Sequence, residues 1–289
     1  MVALFNRIYD MILAMVSGIL SAFYELYDMI SINIRERKIT FSLAEMKLKS
    51  EYSGSLLGAV WAIVKPITYI GVFWFAIQVG LRGTGQVAGV PRILWMAPGN
   101  FVWFFLSETL LGCGKSLITN RHLVTKMVFP KETIPVFEVL SEFIVHFALV
   151  IITLVLFVFS STGLSIYLIQ LPYYMFCAFV FGCVVATLIS ALSAISRDVT
   201  YLMRSVNQGL FWLSPILWPL SNVTGIVHSI IMLNPITYLT EGYRNAFVYK
   251  IWFFSEWQYM LYFWGFLLIL ALFTAHIWTR LKDDFADVL

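Results

Sequence analysis

Three groups of residues in this 289-residue chain have types and spacings that invite a chemical reading. Gly114-Lys115-Ser116 has the form of the end of a phosphate-binding loop. A complete loop carries a further glycine five positions before Gly114 and follows a strand. Thr109 stands at that position, and the stretch before it is apolar and helical in pattern. No acidic strand end is available to hold Mg²⁺. The triplet is read as a coincidence at a helix end, and the chain is expected to have no nucleotide site of its own.

Glu138, Glu142 and His146 follow one another at i, i+4 and i+8, so they share one face of a helix. Such a stripe suits a proton relay, a metal site, or pairing with neighbouring helices. Ionisable groups inside a membrane are costly and imply an inward role. With no second cluster of His, Asp or Glu, pairing is the favoured reading and no metal is expected. Aromatic residues form the third group. Trp61, Lys65, Tyr69 and Phe73 make an i+4 ladder; Phe101, Phe104, Phe105 and Glu108 share a face; Phe211, Trp212 and Trp218 follow later. Taken singly, each aromatic is best read as packing or as part of an interfacial belt. Taken together, with a cation and a carboxylate on the same faces, they describe a lined pathway on which the apolar C–H faces of sugar rings can stack. The candidate pathway is Trp61, Lys65, Tyr69, Phe73, Phe104, Glu108, Phe211 and Trp212.

The elements that must position these residues follow from composition. Hydrophobic residues make up 60% of the chain and charged residues 12%, with a mean hydropathy of +0.84. A soluble globule carries about 25% charged residues, so this chain cannot cover a water-facing surface. Its 25 Phe, 14 Tyr and 10 Trp exclude a disordered or fibrous chain. A net charge of +3 is too small to mark a nucleic-acid binder. Cys113, Cys177 and Cys183 lie in apolar stretches and read as packing residues, neither a disulfide framework nor a zinc site.

Six windows are long and apolar enough to span a bilayer: about 57–81, 93–113, 134–159, 166–195, 205–220 and 257–279. The fifth is short and broken by Pro215 and Pro219. The predicted fold is therefore an all-α integral membrane protein with six transmembrane helices, residues 1–55 forming in-plane or interface helices and residues 56–289 the membrane domain. Met11–Phe23 is too short to span and is read as in-plane rather than as a cleavable signal. Residues 24–55 suit an amphipathic helix on the inner face. Residues 119–131 form a short basic and apolar element. Residues 221–256 read as a re-entrant pair of apolar helices split at Asn234-Pro235, with Glu241 and Arg244 spaced to pair. With the N-terminus inside, fifteen Lys and Arg fall on the inner side; Arg82, Arg92, Arg244 and Lys250 fall outside. That asymmetry places both termini in the cytoplasm.

Several stretches resemble one known family. KLKSEYSGSLLGAVWAIVKP (47–66) is similar to its opening signature, NRHLVTKMVFPKETIPV (120–136) to its cytoplasmic loop, LNPITYLTEGYRNAF (233–247) to its external gate, and KDDFADVL (282–289) to its tail. The family is the permease subunit of type-2 ABC exporters of cell-surface polysaccharides, namely O-antigen, teichoic acid and capsule. The resemblance runs from about residue 24 to the end. Residues 1–23 look like an extension, and Lys65 stands before Pro66 where the family often has an uncharged residue.

The resemblance implies a transport subunit, not an enzyme, in the bacterial cytoplasmic membrane. It implies a homodimer on two separate ATPase subunits, which would hold ATP and Mg²⁺. The cargo would be a glycan on an undecaprenyl diphosphate carrier. It assigns coupling to the ATPase to Arg121, His122, Leu123, Lys126 and Met127, and the external gate to Asn234, Pro235, Glu241, Tyr243 and Arg244. Lys65, with Lys47 and Lys49 nearby in sequence, is the candidate cationic stop for the diphosphate. Two alternatives remain at this stage. A proton-coupled secondary carrier would use Glu108 and the stripe at 138, 142 and 146. A membrane-embedded enzyme would need paired interfacial carboxylates, and the cytoplasmic loops offer only Glu132 and Asp198.

Overall fold

The structure is a computed structural model. It describes the backbone of residues 2–80, 85–160 and 162–288, and side chains from Ser17 onward except Ile19. Arg82, counted above as external, lies outside the described residues.

Thirteen α-helices occur among the described residues. The chain opens with α1 (Val2–Arg35) and α2 (Arg37–Glu51), parted at Glu36. A 3₁₀ turn, α3 (Trp61–Phe75) and a π turn form one continuous segment, Gly58–Gly80. A two-residue β-hairpin pairs Gln86 with Pro91 and Val87 with Val90. It leads into α4 (Arg92–Cys113). Two short helices follow, α5 (Ser116–Thr119) and α6 (Arg121–Thr125). Then come α7 (Thr133–Val158), α8 (Leu171–Ile195, after a 3₁₀ turn from Ile166), and α9 (Asp198–Leu213). α10 (Gly225–Met232) and α11 (Pro235–Arg244) form the predicted split pair. α12 (Trp257–Leu281) and α13 (Phe285–Val288) end the chain.

Four segments are long and apolar enough to cross a membrane: Gly58–Gly80, Thr133–Val158, Ile166–Ile195 and Phe253–Leu281. These match the first, third, fourth and sixth windows. The other two windows differ for physical reasons. α4 carries Arg92, Trp95, Pro98, Gly99 and Asn100 in its first half, which lowers its hydropathy. It can do so because it is the buried centre of the bundle, packed by α3, α7, α8, α9 and α11. A helix that faces protein need not be as apolar as one that faces lipid. The fifth element begins earlier than its window, at Asp198, and stops at Ser214, before Pro215 and Pro219.

The N-terminal expectation needs correction. Met11–Phe23 is not a separate short element. It is continuous with residues 24–35 in one 34-residue helix. Only α2 remains of the separate interface segment.

One end of the bundle is closed by a compact core. Ala44 of α2, Leu117 of α5, Leu123 and Val124 of α6, Ile134 and Phe137 of α7, Ala191 and Ala194 of α8, Trp278 of α12 and Phe285 of α13 meet there. The buried tail residue Phe285 sits edge-on to Trp278, with ring centroids 5.2 Å apart. The short helices and the tail are thus fixed to the ends of three long helices.

Candidate functional site

The pathway residues come from three helices whose aromatic faces converge. On α3 the ladder Trp61, Lys65, Tyr69 and Phe73, with Val64, Thr68 and Val72, lines an open groove of about 470 Å³. Tyr69 meets Phe104 of α4 edge-on at 5.3 Å, and Phe73 meets Phe211 of α9 at the same spacing. Phe211 touches Trp103 of α4 and Trp212 of its own helix. α9 is held along α4 by two hydrogen bonds: Thr200 Oγ1 donates to the Gly114 carbonyl (2.8 Å), and Asn207 Nδ2 donates to Ser107 Oγ (2.9 Å). The arrangement separates two roles. Phe211 is buried and joins the sets, whereas Trp61, Lys65, Tyr69, Glu108 and Trp212 remain exposed and Phe73 and Phe104 half-buried. The groove itself is lined by α3 alone and is open on one side.

Beside the groove lies a small polar cavity of about 50 Å³. Its lining includes Glu51 and Tyr52 after α2, Lys65, Phe104, Glu108, Glu142 and His146. The Lys65 ammonium lies 5.1 Å from the Tyr52 ring centre, within cation–π reach. Three carboxylates share this cavity with one ammonium. Lys65 therefore sits in a negative setting, which counts against its use as an anion stop.

Lys47 is not available for that role either. Its ammonium bridges Glu138 (2.8 Å) and Glu142 (2.7 Å) and also donates to Ser141 Oγ (2.9 Å). Burial disfavours the ammonium, but Glu142 and Glu138 outweigh it, so Lys47 stays charged to above the usual lysine range. His146, completely buried, lies 3.2 Å through Nδ1 from the Phe101 carbonyl and 2.7 Å through Nε2 from Tyr243 Oη. The stripe on α7 is thus consumed by pairing: its first two carboxylates fasten α2, and its histidine fastens α4 and α11. No group of three His, Cys, Asp or Glu able to hold a metal occurs among the described residues. Ser116 of the Gly-Lys-Ser triplet is buried, donating to the Cys113 carbonyl beside Ser190. It closes a helix end.

The split pair is anchored by Arg244. Asn234 caps α11 by accepting from the Ile236 N–H (3.0 Å), while its amide donates to Ser214 Oγ (2.8 Å). At the other end the Arg244 side chain is completely buried. It pairs with Glu241 at 2.6 Å, donates to the carbonyls of Pro215 and Ile216, and lies 3.8 Å from the Trp95 ring centre. Pro215 and Pro219 stop the helix and so leave carbonyls free to accept. Gly99 makes the space: a Cβ there would stand 2.8 Å from Arg244 Nη2. Tyr243 is buried against His146. The five predicted gate residues therefore lie on α11 and its cap, where Tyr243 and Arg244 are buried, whereas α10 beside them is largely exposed. The sequence reading missed Trp95 and Gly99, which no local spacing links to Arg244.

The basic element at 119–131 is helical only over α6. Leu123 and Val124 point into the chain's own core, whereas Arg121, His122, Lys126, Met127 and the fully exposed Val128 form its outer surface. Leu123 thus anchors the element and cannot be its docking face, a correction to the predicted set.

Residues 38–248 match the ABC-2 type transporter family. The chain belongs to that family. It is also similar to two proteins described as the O-antigen export system permease protein RfbA. One, from Klebsiella pneumoniae, is 27% identical over 248 residues, 84% of this chain and 91% of that protein. The other, from Myxococcus xanthus, is 25% identical over 215 residues, 73% and 80% of the two chains. As a member of that family, the chain is a multi-pass membrane subunit of a transporter whose ATPase activity resides on a separate subunit.

Proposed function

We propose that this permease moves a lipid-linked polysaccharide of the O-antigen class outward across the bacterial inner membrane, driven by a separate ATPase subunit. The observation that carries this reading is the open groove along α3, whose aromatic ladder also meets Phe104 of α4 and Phe211 of α9. A polar polymer cannot cross hydrocarbon, where each unsatisfied polar group costs several kcal/mol. It needs a wettable path that holds sugars weakly. Tyr69, Phe104 and Trp212 offer ring faces for stacking, and Lys65 and Glu108 offer partners for hydroxyls. The open side of this groove supports a homodimer in which a second copy supplies the opposite wall.

The order of the long helices supports six crossings. α7 leaves the closed end, and α8 and α12 return to it. The chain between α8 and α12 must cross back, and α9 is the element placed to do so. By the same logic α4 returns from the far end of the Gly58–Gly80 segment to Leu117. The closed end is the cytoplasmic one by the charge asymmetry, so the outer surface of α6 faces the ATPase. The hairpin α10–α11, at the other end, is the external gate.

The carbohydrate carrier is taken to be undecaprenyl diphosphate. The carboxylates around Lys65 make that cavity a place for sugar hydroxyls rather than for the diphosphate. The test is reconstitution of the permease with its ATPase subunit in inverted vesicles. ATP should drive the lipid-linked glycan into the lumen, and Tyr69→Ala with Phe104→Ala should slow it without reducing assembly. Uptake driven by a proton gradient in the absence of ATP would overturn the reading in favour of a secondary carrier.

A further inference from the structure

We infer that α1 stands upright in the bilayer alongside α12, with its outward face against lipid acyl chains, and does not lie in the membrane plane. Two contacts fix its direction. Glu25 Oε2 lies 3.3 Å from His276 Nδ1 of α12. Eight residues further on, Asn33 Nδ2 donates to the Glu132 carbonyl (3.4 Å), and the Glu132 carboxylate lies 3.7 Å from Lys282, the residue that caps α12. From Glu25 to Asn33 is about 12 Å of helix and from His276 to Lys282 about 9 Å. The two helices therefore run side by side in the same direction, at a nearly constant offset of roughly 250 residues. The offset puts the start of α1 level with the start of the span Phe253–Leu281. At 1.5 Å per residue α1 is about 51 Å long, more than the ~30 Å hydrocarbon core.

The faces of α1 decide what covers it. Leu20, Phe23, Tyr24, Tyr27, Ile30 and Ile34 recur at helical spacing and are all exposed. Glu25, Asp28 and Asn33 are turned towards α12 and α7, where Glu25 and Asn33 find their partners. This is the reverse of a helix in water, whose charges face out. α12 itself also carries exposed apolar residues, at Leu261, Leu268, Ile269 and Phe273. Below the stripe, exposed Arg35, Arg37 and Lys38 form a basic collar where lipid phosphates lie. An in-plane helix crossing the end of α12 would meet it at one point; α1 follows it. The consequence is that the N-terminal end of α1 reaches the face opposite to α2. Arg7 then joins the outer side, which leaves the charge asymmetry strongly in the same sense.

The inference is independent of what the chain exports. Single cysteines are introduced at Leu20, Tyr24, Tyr27 and Ile34 in the full chain in lipid nanodiscs, and each is spin-labelled. The three native cysteines are buried or half-buried and stay in place, with the unsubstituted chain as the blank. The expected result is relaxation by oxygen that rises, and relaxation by a water-soluble nickel chelate that falls, from residue 34 beside the basic collar to residue 20, with depth increasing steadily along the series. Constant depth along the series would overturn the upright placement. Access by the nickel chelate at residues 20 and 24 would overturn lipid contact, and so would exclusion of both reagents there, which means a protein cover. In parallel, Ala3→Cys should react with an impermeant maleimide added outside intact cells, and reaction only after permeabilisation would overturn the inference.

Discussion

At the scale of single residues, the charges buried in this permease act as fasteners. Lys47 joins α2 to α7 through two carboxylates. Lys47→Met leaves both without their counterion, and breaking a buried pair by removing one partner costs roughly 3–5 kcal/mol. The melting temperature in detergent should fall markedly. The triple change Lys47→Met, Glu138→Gln, Glu142→Gln should recover most of the loss. No recovery would mean that the ammonium acts beyond this pairing. The sign of its pH dependence follows from its raised pKa. The ammonium's contribution is complete below the unfolded lysine value of about 10.4 and is lost only as pH rises through the still higher folded value. Stability should therefore not respond to Lys47 between about pH 6 and pH 9, and a Lys47-dependent transition in that window would contradict the assignment.

Arg244 is the second fastener. Arg244→Lys keeps the charge but loses the planar fork that reaches two carbonyls while stacking on Trp95. It should destabilise the α10–α11 hairpin, measured as faster hydrogen exchange over 225–249, with the four long spans unchanged.

At the scale of elements, two seats can be tested. A Cβ at Gly242 would stand 2.1 Å from the Tyr174 ring of α8, a distance no packing accepts. Gly242→Ala should lower folded yield, and adding Tyr174→Leu should restore part of it. The second seat is the outer surface of α6. Met127→Asp with Val128→Asp should reduce co-purification of the ATPase subunit and leave membrane insertion intact. Leu123→Asp should instead damage folding, because Leu123 lies in the core at the closed end.

The long helices and the split at Asn234-Pro235 were legible because apolar length and proline are local signals. So was the pairing of Glu241 with Arg244, a one-turn relation. What binds Glu138 and Glu142 was not legible, because Lys47 is 91 and 95 positions away and no periodicity links them. α1 was misjudged for a related reason. Its charged residues broke the apolar run in sequence, yet two of them are paired or turned inward in space. Hydropathy sums composition and is blind to direction.

At the scale of the whole molecule, an open groove on α3 flanks a bundle closed at one end by a compact core. That end carries the exposed outer surface of α6, and α11 is latched by Arg244 to the chain that follows α9. Between them α7 holds Lys47 at its first turns and Tyr243 through His146 in its middle. One helix therefore touches both α2 and α11. Every part of this arrangement serves the claim that the chain exports a lipid-linked polysaccharide. The most direct test is to quantify surface glycan in a strain lacking this gene and any paralogue, then in the same strain complemented with the wild-type chain. The account predicts loss of surface polymer with accumulation of lipid-linked glycan inside, and restoration on complementation. Normal surface polymer in the deleted strain would contradict it.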